Sequence, residues 1–264
     1  MIEVENLSKS YGQVTAVKNV SFDVQKGEIV GLLGLNGAGK TTTMNIITGY
    51  ISSTEGRVKV CGYDILDEPK EVKKRIGYLP EHPPVYNDMT VKEYLNFICD
   101  LKKVDKNKRK NQIDDIMELV KITDVRKRLI NNLSKGYKQR VGLSQALVGN
   151  PEVLILDEPT VGLDPKQILD IRNVIRSLGK DHTIMLSSHI LHEVNQVCNR
   201  VAIINNGEIV AVDTPENLSG NLGKTTKFVV SIAGNENDVK EKIKSIEGVI
   251  SVDTTSQGVE GIST

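Results

Sequence analysis

The amino-acid sequence predicts an α/β fold with four parts. These are a parallel-sheet core, an N-terminal antiparallel β subdomain, an inserted α-helical subdomain and a small C-terminal α+β extension. Short apolar stretches alternate with amphipathic ones on both sides of a helical region, which is typical of this class. The densest apolar runs, IVGLLGL and VLILD, have the length of buried strands. The 264 residues, 39% of them apolar, suffice for one large domain or two modest ones.

The N-terminal stretch predicts a β subdomain that leads into a strand, a loop and a helix. IEVENLSKSY and VSFDV alternate apolar and polar residues and, with YGQVTAVKNV between them, predict antiparallel half-buried strands. GEIVGLLG predicts a fully buried strand, and KTTTMNIITG predicts a helix that ends at Gly49. This order of strand, glycine-containing loop and helix begins an α/β core.

Residues from about 83 to 150 predict the α-helical subdomain. Apolar residues recur there at helical spacing in two groups: Val91, Tyr94, Leu95, Ile98 and Leu101, then Ile113, Ile116, Met117 and Val120. The charged segment KKVDKNKRKNQ between the groups is expected to be a solvated connection.

Beyond Pro151 the α/β pattern returns. EVLILD and HTIMLSS predict strands, whereas PKQILDIRNVIRSLG and HILHEVNQVC predict helices. RVAIINNGEIVAV predicts a hairpin that turns at Asn206-Gly207. The helical subdomain therefore interrupts the predicted parallel-sheet core.

The C-terminal part is predicted to form a small module. The polar stretch ENLSGNLGKTT indicates a linker, and KFVVSIAG, NDVKEKIKSIEG and VISVDTT predict a strand, a helix and a strand. So short a module builds little core of its own, so we expect it to dock on the main domain. We predict a main domain over residues 1–218 and an accessory module over residues 219–264; the interpretation that this module is truncated stays open.

Charge and composition argue against several classes of protein. Lys+Arg and Asp+Glu both number 34, giving a net charge of +0, whereas nucleic-acid-coating proteins usually carry a basic excess; we therefore expect no nucleic-acid partner. The scattered cysteines Cys61, Cys99 and Cys198 are typical of reduced cytosolic thiols. Neither a signal peptide nor an apolar run of the ~18–20 residues that span a membrane is visible, so we expect a soluble chain.

The stretch GLNGAGKTT carries the strongest functional signal. It fits the pattern G-x-x-x-x-G-K-[ST] between a predicted strand and a predicted helix, which is typical of a phosphate-binding loop; the alternative is an ordinary glycine-rich turn. Glycines let backbone N–H groups approach phosphate oxygens, and the helix N-terminus favours anions. Lys40 would reach the β- and γ-phosphates, and the Thr41 hydroxyl would face Mg²⁺. The predicted nucleotide-binding residues of this loop are Gly34, Leu35, Asn36, Gly37, Ala38, Gly39, Lys40, Thr41 and Thr42.

Polar residues at two further strand ends complete a candidate site. A buried strand that ends in Asp157 and Glu158 points both carboxylates towards the phosphate loop, because ligands lie beyond the carboxyl ends of parallel strands. Asp157 would hold Mg²⁺, and Glu158 would orient the water that attacks the γ-phosphate. His189 could donate a hydrogen bond to the γ-phosphate and hold the water. The alternatives are an N-capping acidic pair and a structural histidine.

Over roughly residues 1 to 220 this series of motifs resembles the ATP-binding-cassette (ABC) ATPases, which have a P-loop nucleoside-triphosphatase core. The family's further elements match Tyr11, Glu81 in IGYLPE, LSKGYKQR, Asp164 in VGLDP, and His189 in SSHIL. The resemblance implies that Tyr11 stacks on adenine and that Asp164 lies at a dimer contact between two sites. The alternatives are a strand-edge aromatic and a turn residue before Pro165.

The resemblance also implies that two cassettes are needed for one reaction. In this family each ATP lies between the phosphate loop of one subunit and the signature turn of the other. Here Ser134 and Gly136 would contact the γ-phosphate bound to Lys40 of a second copy, through the same anion-binding properties of a helix N-terminus. Since one chain carries both halves, a homodimer would build two sites, although a heterodimer is an alternative.

Two departures from the family pattern bear on the site. The usual signature Leu-Ser-Gly-Gly-Gln is Leu-Ser-Lys-Gly-Tyr here, which leaves the contacts of Lys135 and Tyr137 open. The loop that usually carries glutamine has Glu81, whose carboxylate is a further candidate ligand of Mg²⁺. The negative charge of Glu81 would lie near those of Asp157 and Glu158. Two unit charges ~4 Å apart interact by about 4 kcal/mol at an effective dielectric near 20, so this crowding is unfavourable without the metal and we expect strong Mg²⁺ dependence.

The resemblance implies the ATP-binding and ATP-hydrolysing subunit of a membrane transporter. Glu81 in place of glutamine is similar to a subgroup that drives export and often carries a C-terminal extension. ATP binding would close the dimer and hydrolysis would reopen it. The implied partner is a transmembrane permease subunit, which residues from about 83 to 150 would contact. The permease would hold this cytoplasmic chain at the inner face of the membrane. The alternative is a soluble ABC ATPase acting in translation or DNA repair.

Overall fold

The predicted strands and helices of the main domain occur in the predicted order, and four further elements between residues 55 and 79 were not predicted. The computed structural model describes residues 1–222, 226–230, 232, 235–246, 248–255 and 258–263. Within these residues the strands are β1 (Ile2–Tyr11), β2 (Val14–Val24), β3 (Ile29–Leu33), β4 (Glu55–Val60), β5 (Tyr63–Asp64), β6 (Ile76–Leu79), β7 (Val153–Leu156), β8 (Thr183–Ser188), β9 (Arg200–Asn205), β10 (Glu208–Asp213), β11 (Thr226–Val230), β12 (Val249–Thr255) and β13 (Gly258–Ser263). The helices are α1 (Lys40–Ile47), α2 (Pro69–Arg75), α3 (Val91–Leu101), α4 (Lys106–Leu119), α5 (Lys135–Leu147), α6 (Pro165–Leu178), α7 (Leu191–Val197), α8 (Pro215–Leu222) and α9 (Glu236–Lys244).

Two sheets organise the first of two compact units, Met1–Asp213. An antiparallel sheet has the order β2-β1-β4-β5, which confirms the predicted N-terminal β subdomain. The second sheet has the order β10-β9-β3-β8-β7-β6; its pairs from β9 to β6 are parallel, and only the predicted hairpin strand β10 is antiparallel. The predicted α/β class with a parallel-sheet core is therefore confirmed.

The parallel sheet positions three loops at one edge. Its central strands β3, β7 and β8 are buried along their whole length. Because β3 lies between β8 and β9, and β7 lies beside β8, their carboxyl ends are adjacent. Those ends carry the loops that begin at Gly34, Asp157 and His189, where an α/β sheet presents its ligand site.

The helical insertion consists of α3, α4 and α5, but its charged connection is shorter than predicted. The expectation that KKVDKNKRKNQ is a solvated connection is wrong for residues from Lys106 onward, which form the first turns of α4. The Asp105 side chain caps this helix by accepting a hydrogen bond from the Asn107 amide at 2.9 Å. Lysine, arginine and glutamine are good helix formers, so an exposed helical start is compatible with their charge.

The second unit, Thr214–Thr264, contains the predicted strand–helix–strand and one more strand. β11, β13 and β12 form an antiparallel sheet in that order, and α9 precedes β12. The linker interpretation of ENLSGNLGKTT is wrong up to Leu222, because α8 occupies that stretch; the Thr214 hydroxyl accepts from the Asn217 amide at 3.3 Å, and Pro215 starts the helix. Residues 223–225 of the predicted linker, and residues 231, 233, 234 and 247 of the predicted strand and helix, lie outside the described residues.

Across the part of the chain that the structure describes, the helices fall short of the length and apolar character that a membrane crossing needs.

Candidate active site

The phosphate-binding loop follows the buried strand β3 directly and is held by its neighbours. Gly34 donates its amide to the Ser188 carbonyl at 3.2 Å, and a side chain at Gly34 would collide with the Ile204 carbonyl. Gly39, the N-cap of α1, has φ 107 and lies so close to the Ala16 carbonyl that a Cβ would approach it to 2.7 Å. No side chain caps the first turn of α1, so its N–H groups are available to an anion.

One serine near the end of β8 forms hydrogen bonds with both residues of the acidic pair after β7. The Ser187 hydroxyl donates to Asp157 Oδ1 at 2.6 Å and accepts from the Glu158 amide at 2.8 Å. Glu158 adopts φ 46, the left-handed region that non-glycine residues rarely occupy and that is found at functional sites. Sequence reasoning missed Ser187; the only signal was a pair of serines at the end of a predicted strand.

Lys40, Glu158 and His189 form a continuous chain of contacts. Lys40 Nζ lies 3.3 Å from Glu158 Oε1, and both side chains are almost fully buried. The lysine also donates to the carbonyls of Gly34 at 2.8 Å and Leu35 at 3.2 Å. His189 Nδ1 lies 3.0 Å from Glu158 Oε2. The structure therefore joins the predicted phosphate-binding lysine to both predicted catalytic residues.

A pocket of about 330 Å³ brings most of the predicted site residues together. The predicted residues that line it are Asn36, Gly37, Gly39, Lys40, Thr41, Thr42, Glu81, Glu158 and His189. Gly34, Leu35 and Ala38 belong to the same loop without lining the pocket. Tyr11 stands at the end of β1 with 52% of its surface exposed, has Lys9 Nζ 5.2 Å from its ring centre, and does not line the pocket, so its predicted stacking on adenine stays a prediction.

The candidate Mg²⁺ ligands are Thr41, Asp157 and Glu81. Within the described residues no cluster of three or more His, Cys, Asp or Glu side chains is arranged to hold a metal, so a site here needs the Thr41 hydroxyl, phosphate oxygens and water, as Mg²⁺ sites usually do. Burial raises the pKa of the Asp157 carboxyl and the charge of Glu81 adds to this, while hydrogen bonds from Ser187 and Thr41 and the charge of Lys40 oppose it. Asp157 Oδ2 is buried without a hydrogen-bond partner, which fits a metal ligand. Bound there, Mg²⁺ would neutralise phosphate charge.

The replacement Asp157→Asn should raise the thermal unfolding midpoint of the chain measured without nucleotide at pH 7. The neutral amide avoids the cost of an ionised buried carboxylate and can still accept the Ser187 hydrogen bond. Because the folded-state pKa of Asp157 is raised, the cost is absent below the unfolded-state pKa, grows as the pH rises from there towards the folded-state pKa, and is complete above it. The gain in midpoint should therefore be larger at pH 7 than at pH 4, measured by circular dichroism.

A matched control for this variant is Asp115→Asn, which changes an exposed aspartate of α4 and should leave the midpoint unchanged at both pH values. A lower midpoint for Asp157→Asn at pH 7, or an equal gain at both pH values, would contradict the interpretation of Asp157 as a costly buried anion.

The signature turn lies outside this pocket and packs on the loop that carries Asp164. Ser134 is the N-cap of α5 and accepts from the Tyr137 amide at 3.4 Å. Gly136 lies so close to the Gln167 side chain that a Cβ would collide with it. Asp164 is the N-cap of α6, where it accepts from the Gln167 amide at 2.9 Å. Gly136 therefore lies beside the first turn of α6, which Asp164 caps, and Ser134, Gly136 and Asp164 do not line the pocket that contains Lys40.

The two unusual signature residues have contacts within the chain. The Lys135 side chain lies over Gly162, where a Cβ would meet its ammonium group. The Tyr137 hydroxyl donates to Asp124 Oδ2 at 2.9 Å. Neither contact occupies the Ser134 side chain, so both departures leave the helix cap intact.

The fold and this site define a P-loop nucleoside triphosphatase. Residues 17–161 match the family model described as ABC transporter. The linearmycin resistance ATP-binding protein LnrL of Bacillus subtilis is 37% identical over 235 residues, 89% of this chain and 76% of that protein. The bacitracin transport ATP-binding protein BcrA of Bacillus licheniformis is 41% identical over 212 residues, 80% of this chain and 68% of that protein.

A solved structure described as the ATP-binding subunit of an ABC transporter superposes with a TM-score of 0.77 at 30% identity, and the match covers 84% of this chain and 93% of that one. The chain belongs to the ABC transporter family and is an ATP-binding subunit with the fold of an ABC ATPase.

Proposed function

We propose that this ATPase drives the export of a substrate across a membrane as one of two identical cassettes, each docked on a transmembrane permease subunit at the cytoplasmic face. The observation that carries the proposal is a second, larger groove that is open to a partner and shares residues with the nucleotide site. The names of LnrL and BcrA, which refer to linearmycin resistance and bacitracin transport, support a transport role.

The groove has a volume of about 820 Å³ and lies between the sheet and the helical subdomain of the first unit. Its lining is largely apolar and includes Tyr50, Pro84, Ile98 and Leu101. Leu101, at the end of α3, has 62% of its surface exposed. Apolar side chains at this density on an open surface are typical of a site that receives an amphipathic helix of another protein.

The same groove is lined by Thr41, Glu81 and Asp157, the three candidate Mg²⁺ ligands. A helix seated there would contact the loop after β6, in which Glu81 begins the stretch EHPPVYNDMT. Any change in the position of Glu81 on nucleotide binding would then shift the docked helix, because Glu81 and the helix would contact each other in the same groove. This supports coupling of ATP turnover to movement of a permease.

For hydrolysis we propose a role for each group of the site. Lys40 and the loop amides bind the phosphates, Glu158 orients and deprotonates the attacking water, and His189 holds the Glu158 carboxylate in place through the 3.0 Å contact. Ser134 and Gly136 would complete the site of a second copy. No observation on the described residues favours the alternative role in translation or DNA repair.

Co-purification tests the permease proposal. The full chain, tagged and expressed in its own cell, is expected to be recovered from solubilised membranes together with a polytopic membrane protein. The variant Leu101→Glu should lose that partner, because it places a charge in the apolar groove, yet keep its thermal midpoint, because Leu101 is exposed.

The matched control is Leu66→Glu, which makes the same change at a leucine that is 58% exposed and does not line the groove. It should retain the membrane partner. Recovery of ribosomes or DNA in place of a membrane protein, or retention of the permease by Leu101→Glu, would contradict the proposal.

A further inference from the structure

A buried carboxylate, Glu193 of α7, does not line the nucleotide pocket, and the hydrogen bonds and ion pair described for it involve neither a phosphate-loop residue nor a catalytic carboxylate. Only 8% of its surface is exposed. Its Oε2 accepts hydrogen bonds from the Thr160 hydroxyl at 2.7 Å and from the Ser188 hydroxyl at 3.2 Å. Its Oε1 lies 3.2 Å from a terminal nitrogen of Arg172 on α6. One side chain thus connects three separate elements.

One hydroxyl belongs to the loop that carries Glu158, and the other belongs to the last residue of β8, directly before the loop that begins at His189. Thr160 follows Glu158 by two residues and starts the turn that leads to Asp164; its carbonyl accepts from the Leu163 amide at 3.3 Å. Ser188 immediately precedes His189, and its hydroxyl also accepts from the Ile190 amide at 3.1 Å. The backbone is therefore fixed on both sides of His189 by a serine that is bonded to Glu193.

The charge of Glu193 is balanced on the other side. Arg172 faces Oε1 and donates a further hydrogen bond to Gln196 Oε1 at 2.6 Å. Because arginine already balances the charge of this buried carboxylate, the two hydroxyls are not needed to neutralise it. Their main contribution is a pair of directional hydrogen bonds that fix the carboxylate relative to Thr160 and Ser188. A bond to a carboxylate is shorter and stronger than one between neutral groups, which suits it to fixing a loop.

We propose that Glu193 is a positioning residue for ATP hydrolysis. One of its oxygens accepts hydrogen bonds from Thr160 and Ser188, and this holds the loop that carries Glu158 and Asp164 at a fixed position relative to the loop that carries His189. The inference rests on the roles of Glu158 and His189 proposed above. It predicts that loss of one hydroxyl displaces the histidine relative to the carboxylate and slows the chemical step, while the phosphate loop still binds ATP.

The test is Thr160→Val, which keeps the shape of the side chain and removes its hydroxyl, compared with Thr160→Ser, which restores a hydroxyl. For Thr160→Val we expect kcat of the full-length ATPase to fall by at least about tenfold, towards the roughly hundredfold that a displacement of 1 Å can cost. The KM for ATP should stay within about twofold, since the residues that bind phosphate are unchanged. Thr160→Ser should recover most of the lost kcat.

The matched control is Thr183→Val at the opposite end of β8, where a buried threonine hydroxyl accepts from the Gly27 amide at 2.9 Å. Both valine variants should lower the thermal midpoint, but only Thr160→Val should lower kcat. A kcat for Thr160→Val within twofold of the unmodified chain, or an equal loss in Thr183→Val, would overturn the proposal. If Glu158→Gln also hydrolyses ATP normally, the assignment of the catalytic residues fails instead.

Discussion

Replacing Glu158 with glutamine is expected to lower kcat for ATP by about 10²–10⁴-fold, the contribution typical of a general base, while ATP binding is retained. Glutamine has the size of glutamate but cannot accept a proton from the attacking water. It also removes the negative charge 3.3 Å from Lys40 Nζ, so Glu158 no longer competes with phosphate for the lysine. ATP affinity should therefore be unchanged or higher.

The measurement combines steady-state release of phosphate with light scattering in the presence of Mg-ATP, where the slow variant should accumulate as a dimer. Glu152→Gln is the matched control, because it makes the same chemical change at a carboxylate that precedes β7 at the opposite edge of the sheet and pairs only with Arg75 at 3.4 Å among the contacts described. Turnover of Glu158→Gln within twofold of the unmodified chain would remove Glu158 from the mechanism.

The candidate site could largely be predicted from the sequence because its groups belong to short motifs at strand ends. GLNGAGKTT fixes the relation of Lys40 to β3 and α1 locally, and strand adjacency then brings Asp157, Glu158 and His189 to the same edge. The contacts behind the site were not predictable in this way. The bonds of Ser187 to Asp157 and of Glu193 to Thr160 join residues about 30 positions apart, and no local pattern distinguishes these side chains from other polar ones.

The fold could be predicted where the sequence pattern is long enough to show a period, and was missed where elements are short or polar. The continuous apolar stretches of β3, β7 and β8 were correctly predicted, whereas residues 55–79, which form β4, β5, α2 and β6, were assigned no elements. β5 has two residues and α2 has seven, too few to show a period, although β5 pairs with β4 a few residues before it in the chain. For α4 and α8, charge and polarity were taken as signs of irregular chain, although Asp105 and Thr214-Pro215 are helix-start signals.

The dimer proposal can be tested with two variants, each of which should have no ATPase activity alone. Lys40→Met removes the phosphate-binding ammonium group and keeps most of the buried stem. Ser134→Asp keeps a good N-cap for α5 but places a negative charge in the turn that would face a partner's γ-phosphate. Two like charges ~4 Å apart repel by about 4 kcal/mol at an effective dielectric near 20, enough to prevent closure on ATP.

A mixture of these two variants is expected to regain activity, because the composite sites of a mixed dimer are not equivalent. One site combines both damaged halves, whereas the other combines the intact phosphate loop of the Ser134→Asp copy with the intact turn of the Lys40→Met copy. Random pairing makes half of the dimers mixed, so an equimolar mixture should reach about a quarter of the unmodified ATPase activity if each site turns over independently. Ser134→Asn, which caps α5 equally well without a charge, should be far more active alone than Ser134→Asp. If the ATPase activity of the mixture stays at that of the separate variants, Lys40 and Ser134 act in the same copy, or the phosphate loop of one copy never meets the signature turn of another. Either result contradicts a head-to-tail pair of identical cassettes.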